Sequence, residues 1–369
     1  MNRKKLIAFS ISLAMTVVPV TPAAAAGAEQ NTEGLQNAVL DLEFENSLED
    51  SSGKGNNGTL SSGEAEYVDG VVGKGLKMNG SSYVNLGNST DLQPENLTLS
   101  FWIRPDSDMK GEELISWNKN EWYTDGWYLS SENDNTPLTL SVGPAKTNGQ
   151  PYRVSVSGKR SEFLPTGEWT HIAVTYDKDS KEICFYRNGV KCSTVTTYGI
   201  SGESTGVLGS DATMEKSIGY NGPKYKGAYL KASLDEYQLY NDVATPEEVI
   251  ALYEESGQTF DRKAVAQADL DKISIPETTQ ENLSLPTTGE SGSVISWSSD
   301  NEAMVAADGT VVRPGVGEKD VTVTLTAEAS YLNGEKVTKT YKVTVTAKQE
   351  INITTSSIMG DVTLEDDYL

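Results

Sequence analysis

Short runs in which apolar and polar residues alternate, broken every few positions by Gly, Pro or Asn, fill most of this chain. Residues 97–103 (Leu-Thr-Leu-Ser-Phe-Trp-Ile), 170–176 (Thr-His-Ile-Ala-Val-Thr-Tyr) and 183–186 (Ile-Cys-Phe-Tyr) each read as a half-buried strand with a period of two. Asn188-Gly189, between Tyr186 and Val190, is a hairpin turn signal. Many such strands between about residues 36 and 256 predict a sandwich or jelly roll. A helix closes that segment. Thr245 stands as its N-cap, Pro246 at its first position and Glu248 in the capping-box position, with Val249, Ile250, Leu252 and Tyr253 as its apolar stripe and Gly257 as its stop. A second period-two region spans about residues 258–348. There Val321, Val323 and Leu325 alternate with threonines, and Tyr341, Val343 and Val345 with Lys342, Thr344 and Thr346. It predicts a smaller β-sandwich, with Trp297 in its core. The expected fold is therefore all-β, in two domains.

The first residues break this pattern. Arg3, Lys4 and Lys5 precede an apolar stretch, residues 6–18, and Ala24-x-Ala26 offers a cleavage site after Ala26. Residues 1–26 thus read as a signal peptide, whose apolar stretch is too short to span a bilayer, which takes about 20 apolar residues. No later segment is apolar enough for membrane insertion, and a secreted, extracellular, bacterial protein is expected. The charge agrees with export. With 30 Lys+Arg against 53 Asp+Glu, the net charge is -23. Loss of the three leader cations makes the mature chain more negative still. Such a surface excludes nucleic acid as a partner; it favours solubility and offers oxygen ligands to hard cations.

Four stretches of the first domain, in order, resemble a LamG-type concanavalin-like jelly roll. They are Leu42-Glu43-Phe44-Glu45 with Leu48-Glu49-Asp50-Ser51-Ser52-Gly53, Leu99-Ser100-Phe101-Trp102-Ile103-Arg104-Pro105, Glu168-Trp169-Thr170-His171-Ile172-Ala173-Val174, and Leu234-Asp235-Glu236-Tyr237-Gln238-Leu239-Tyr240. In the second domain Ile295-Ser296-Trp297-Ser298-Ser299 and Asp308-Gly309-Thr310-Val311-Val312-Arg313-Pro314 resemble the reduced bacterial Ig-like domains beside secreted glycoside hydrolases. That likeness also accounts for Leu285-Pro286-Thr287-Thr288-Gly289, which has the letters of a sortase motif without the apolar span that should follow. Residues 349–369 more weakly resemble the lead-in to a β-L-arabinofuranosidase-type catalytic domain. The resemblance implies a linker, or the start of a catalytic part beyond Leu369. It also implies that Asp50 and Asp235, with Asp41 able to join them, match positions associated with a cation, so structural calcium is the expected cofactor. The alternative for Asp50 is an Asx-type turn.

The residues themselves supply little chemistry. A glycosidase needs two carboxylates flanking the scissile bond. Glu43 and Glu45 share a strand face without an intervening Asp, and Asp235 and Glu236 are adjacent, so they face opposite ways. The single His, His171, sits inside an alternating strand and reads as structural rather than as a general base. One His also excludes a multi-His zinc site. Sugar binding needs aromatic faces with polar neighbours. Trp122 and Tyr123, among polar residues between the core candidates Trp117 and Trp127, are the first such candidates. Tyr220 and Tyr225, near Tyr229, are the second.

The two cysteines turn on strand register. A two-residue turn at Asn188-Gly189 points Cys184 and Cys192 to opposite faces, whereas a three-residue loop sets them directly opposite one another. Asn-Gly favours the first; a lone pair of cysteines in an exported protein favours the second, and the balance tips to a Cys184–Cys192 disulfide. The expected function is a non-catalytic carbohydrate-binding and spacer region of a polysaccharide-degrading protein, with a plant-type or other polysaccharide as partner. The alternatives are a protein-binding adhesion module and a glycosidase with an unfamiliar site. Oligomeric state is not legible.

Overall fold

The computed structural model describes residues 35, 38–106, 113–119, 126–143, 152–193, 195–198, 215–220 and 229–350. Among these, two eight-stranded antiparallel sheets pack face to face around one core. The first sheet runs, in order, Val190–Lys191, Ile183–Arg187, Thr170–Tyr176, Leu97–Pro105, Lys231–Tyr240, Lys74–Asn79 and Glu66–Asp69, with Leu40–Leu42 also paired to Lys231–Tyr240. The second runs Val195–Tyr198, Tyr152–Val156, Thr139–Val142, Gly126–Ser131, Glu113–Lys119, Ser217–Ile218, Val84–Asn85 and Thr59–Leu60. This is the expected jelly-roll sandwich.

Alternation decides which side chains enter the core. Leu97, Leu99, Phe101 and Ile103 of one sheet meet Trp127, Leu129, Leu140 and Val142 of the other, all at or below 1 % exposure. Tyr237 crosses the same core, and its hydroxyl donates to Ser116 Oγ of the facing sheet at 2.9 Å. Trp102, Val174 and Leu234 are buried as the pattern predicts. Trp169 is only half-buried and lies under the Arg104 guanidinium at 4.8 Å.

Lys231–Tyr240 is the longest strand of the sandwich and changes neighbours along its length. Its first half pairs with Lys74–Asn79, its second with Leu40–Leu42, and a bulge between Asp235 and Gln238 lies at the change. Glu236 in that bulge has a left-handed backbone, φ 47°.

Helix α1 (Arg160–Phe163) is a single turn. Helix α2 (Pro246–Glu255) has the predicted start. Glu248 N–H donates to Thr245 Oγ1 at 3.3 Å, and Thr245 N–H donates to Glu248 Oε2 at 2.7 Å. Its buried Val249, Ile250 and Leu252 hold it on the outer face of the first sheet, and Tyr253 stacks on Trp102.

The Ig-like part has one four-stranded sheet among the described residues, in the order Thr278–Thr279, Val337–Val345, Val321–Ser330, Val294–Ser299. Val323, Leu325, Val343 and Val345 face a core closed by Leu283 and Val305, and Trp297 is partly buried against it. Helix α3 (Arg262–Lys272), which the alternating pattern did not predict, packs on this sheet. It is capped by Asp261, which accepts from Ala264 N–H at 2.9 Å. It presents only Ala266, Asp269 and Leu270 as buried positions, too thin a stripe to stand out in sequence.

The two parts share a cluster. Phe260, between α2 and α3, packs with Ile250, Ala266, Leu270, Tyr331 and Val337 and against Val190 of the 188–189 hairpin. That hairpin corrects the disulfide expectation. Asn188 (φ 50°) and Gly189 (φ 80°) form a two-residue turn, with Arg187 opposite Val190 and Tyr186 opposite Lys191. Cys184 therefore packs outward toward Ala173 and Val249, Cys192 packs inward against the main core, and both thiols are free. The mirror-image turn matches strand twist so well that local geometry outweighs the chance of a bridge. Thiol labelling of unreduced, denatured protein should count two reactive cysteines; one linked pair would reverse the register.

Gly189 also has a packing role. A Cβ there would lie 2.8 Å from the Phe260 ring, besides meeting the strain of a left-handed backbone. Gly189→Ala should therefore cost about 1–3 kcal/mol in urea unfolding.

Candidate functional site

The outer face of the second sheet, the one turned away from the core, is built of polar side chains. On Gly126–Ser131 the core takes Trp127 and Leu129, which leaves Tyr128 and Ser130 outward. On Thr139–Val142 the core takes Leu140 and Val142, leaving Thr139 and Ser141. On Tyr152–Val156 it takes Tyr152, Val154 and Val156, leaving Arg153 and Ser155. Register aligns these into two rows across the strands. Tyr128, Ser141 and Arg153 are successive partners, and so are Ser130, Thr139 and Ser155. Backbone pairing carries the sheet on through Glu113–Lys119, Ser217–Ile218 and Val84–Asn85 on one side and Val195–Tyr198 on the other.

This face has an unusual energetic state. Tyr128, Ser130, Thr139, Ser141 and Ser155 are all fully buried. Thr139 and Ser155 share a hydroxyl–hydroxyl hydrogen bond of 2.7 Å, while Ser130 Oγ and Ser141 Oγ have no partner. A buried hydroxyl without a partner costs about 1–3 kcal/mol. Arg153 is charge-paired with Glu132, so among the described residues the middle of this face is a layer of buried hydroxyls.

A column of tyrosines borders this face. Tyr220 stacks on Tyr83 at 5.3 Å and on Tyr229 at 4.3 Å, the second pair nearly parallel at 9°. Tyr83 and Tyr220 adjoin the paired strands Val84–Asn85 and Ser217–Ile218. Of the aromatic residues expected to bind, Tyr220 is thus placed in a stack, and its faces are taken by its two neighbours. Trp122 and Tyr123, in the connection between Glu113–Lys119 and Gly126–Ser131, lie outside the described residues, as does Tyr225.

With this geometry in place the likenesses to known proteins can be read. Residues 78–250 match the family model of the concanavalin A-like lectin/glucanases superfamily, of laminin-G type, and residues 263–348 match the atrophied bacterial Ig domain. The chain is a laminin-G-like domain followed by a reduced Ig-like domain. An alpha-L-arabinofuranosidase of Bifidobacterium longum subsp. longum is 36% identical over 126 residues, which cover 28% of this chain and 12% of that protein. This chain therefore matches only a small part of that relative's length. Among solved structures, domain 4 of an extracellular arabinanase from Geobacillus stearothermophilus, in complex with arabinotriose, is 22% identical with a TM-score of 0.44, covering 59% of this chain and 99% of that one. The binding domain of Paraclostridial Mosquitocidal Protein 1 is 17% identical with a TM-score of 0.46, covering 81% and 82%.

The aspartates of the laminin-G-like domain each hold a turn. Asp50 builds a turn. Its Oδ1 accepts from Asp41 and Ser52 N–H and its Oδ2 from Asn56 N–H, at 2.8–3.0 Å. Asp235 holds a different turn, with Oδ2 accepting from Val71 and Val72 N–H at 2.7 and 3.0 Å and Oδ1 from Glu236 N–H at 3.1 Å. Asp50 and Asp235 thus each tie down a separate turn through backbone N–H groups. Among the described residues no three His, Cys, Asp or Glu side chains form a group able to hold a metal. His171 is buried, with Nε2 2.9 Å from Ser100 Oγ, and desolvation lowers its pKa to about 3. It lies on the first sheet, away from the hydroxyl rows.

The hydroxyl face was missed in sequence. Its signal was the alternation of Tyr128 and Ser130, or Thr139 and Ser141, with core residues, and outward polar residues in such a pattern read as a solvated surface.

Burial raises the Asp235 carboxyl to about 6, against the three N–H groups that favour its charged form. A raised folded-state value means a stabilising contribution present below the unfolded value of about 4 and lost as pH climbs through 6. Between pH 4 and 7 the stability of Asp235→Asn should therefore improve relative to wild type in parallel thermal melts. A constant gap would show that the N–H groups outweigh burial.

Proposed function

We propose that this protein is a secreted, non-catalytic, carbohydrate-binding region that serves a polysaccharide-degrading system, and that glycan binds at the hydroxyl rows of the second sheet, which are shielded from solvent in the free protein. One observation carries the reading: the unpartnered, buried Ser130 and Ser141 hydroxyls on a face turned away from the core. Sugars are dense in hydroxyl groups, so a sugar hydroxyl in place of nothing satisfies donor and acceptor at once. The outer members of the bordering column, Tyr83 and Tyr229, add apolar rings suited to a sugar's C–H face. Trp122, Tyr123 and Tyr225, the other aromatic candidates of the sequence, belong to the proposal as glycan contacts. Identity to a stretch of an alpha-L-arabinofuranosidase favours an arabinose-containing polysaccharide, and the basic, then apolar, then small-residue order of residues 1–26 favours export. The Ig-like domain then sets this binding domain at a distance from whatever it serves.

Ser130→Ala with Ser141→Ala separates this reading from a purely structural one. Removing two unsatisfied hydroxyls should leave the melting temperature level or raise it. Retention of the mature protein on arabinan in affinity electrophoresis should fall about tenfold, the equivalent of one hydrogen bond. The wild type should release no reducing sugar. Unchanged retention in the variant, no retention of the wild type by any plant polysaccharide, or hydrolysis would each overturn the proposal.

A further inference from the structure

A cleft opens on the other sheet, where the outer face of the laminin-G-like domain meets the end of α2. Ser100, Trp102 and His171 line it from the sheet, Glu236 from the bulge, and Glu255 and Ser256 from the helix end. Its enclosed space is about 10 Å³, the room of one water-sized group.

Three features give this space a chemical character. His171 is 1 % exposed, and its Nδ1 has no hydrogen-bond partner although Nε2 is engaged with Ser100. The imidazole lies beside a stacked pair of rings, with Trp102 at 5.3 Å and Tyr253 edge-on at 5.7 Å, and its low pKa keeps it neutral. If Nε2–H donates to Ser100, Nδ1 is a buried lone pair awaiting a donor. The charged residues lining the cleft, Glu236 and Glu255, are both carboxylates. Glu236 is there by way of a left-handed backbone at the bulge, a conformation that costs a non-glycine residue about 1 kcal/mol. A bulge at this point re-aims a side chain that regular alternation would have placed elsewhere.

We infer that this cleft receives a primary ammonium head on a slender stem, as a lysine side chain of a partner protein presents it. An ammonium is about the size of a water, carries three N–H donors and one positive charge, and meets an imidazole acceptor, two carboxylates and an aromatic ring. A guanidinium is a wider planar fork, and the ring of an amino sugar does not enter the enclosed space. The net charge of -23 draws basic partners toward the surface. This inference is independent of the glycan proposal, because the cleft and the hydroxyl rows lie on different sheets.

The sequence contains one histidine, so ¹⁵N-edited NMR of the imidazole has a single spin system to follow. In the free protein it should show the Nε2–H tautomer. Titration with Nα-acetyl-lysine amide should shift the Nδ1 resonance saturably. The Nε-acetylated probe and glucosamine should not, and in the exposed variant Glu255→Gln the affinity should fall roughly fivefold, as for loss of a charge-assisted hydrogen bond. An Nδ1–H tautomer, no shift with the lysine probe, or an equal shift with the neutral probe would leave the cleft as a water site and overturn the inference. An equal shift with glucosamine would overturn the slender stem. Arabinan retention by the same samples keeps failure of this site distinct from failure of the glycan face.

Discussion

The strand Lys231–Tyr240 carries hydrogen bonds to Leu97–Pro105 on one edge and, in turn, to Lys74–Asn79 and Leu40–Leu42 on the other. A regular strand cannot easily serve two neighbours of different register on one edge, and the bulge at Asp235–Gln238 resolves this. Asp235 secures the arrangement from its buried position by taking the N–H groups of Val71 and Val72, which are turn donors with no strand partner of their own. The turn fits because residues 70 and 75 are glycines. A Cβ on Gly70 would lie 2.4 Å from Asp235 Oδ2, and one on Gly75 2.8 Å from Leu234 O. The same bulge places Glu236 at the cleft and Tyr237 in the core, so one backbone irregularity serves both the sheet order and a possible binding feature.

The sandwich has two outward faces, and they solve the burial problem differently. The first sheet covers its outer Trp102 and Ala173 with the apolar side of α2. There, helix capping at Thr245 and burial of Val249 and Ile250 supply a favourable term of about 1.5–3 kcal/mol for each large apolar side chain. The second sheet buries serines and threonines instead, some with no partner among the described residues. A face selected for stability alone would carry Val or Ala at Ser130 and Ser141, since an apolar group of that size there has no desolvation cost. Retaining hydroxyls at that cost is the physical ground for reading this face as the functional one.

How far the sequence reaches depends on whether a feature is local. Alternation alone separates Leu99 and Phe101 from Ser100, and the Thr245–Glu248 capping box is written in four consecutive residues; both were legible. The turn at Asn188-Gly189 was legible too, and the disulfide expectation arose from giving composition more weight than turn geometry. Asp50 shows the same tension, since the Asx-type turn weighed against calcium is the arrangement its oxygens adopt. What stayed hidden is non-local. Tyr83 and Tyr220 stack across a separation that no spacing rule covers, the two hydroxyl rows exist only once three strands are in register, and the His171 cleft needs a helix that arrives some eighty residues later in the chain.

A flexible spacer needs a linker with few contacts across it, yet Phe260 sits within one apolar cluster that takes Ile250 from α2, Val190 from the hairpin, Ala266 and Leu270 from α3, and Tyr331 and Val337 from the Ig-like sheet. Tyr253 meets the Phe260 ring edge-on at 6.2 Å, and Arg262 lies over its face at 5.7 Å. Bending at this joint would expose apolar surface worth about 25 cal/mol for each Å². The Ig-like domain is accordingly fixed to the laminin-G-like domain rather than tethered to it. A fixed joint holds the hydroxyl face at a set orientation to the far end of the Ig-like sheet. A glycan held there would stay in register with anything attached at that end, whereas a loose tether would give proximity without orientation.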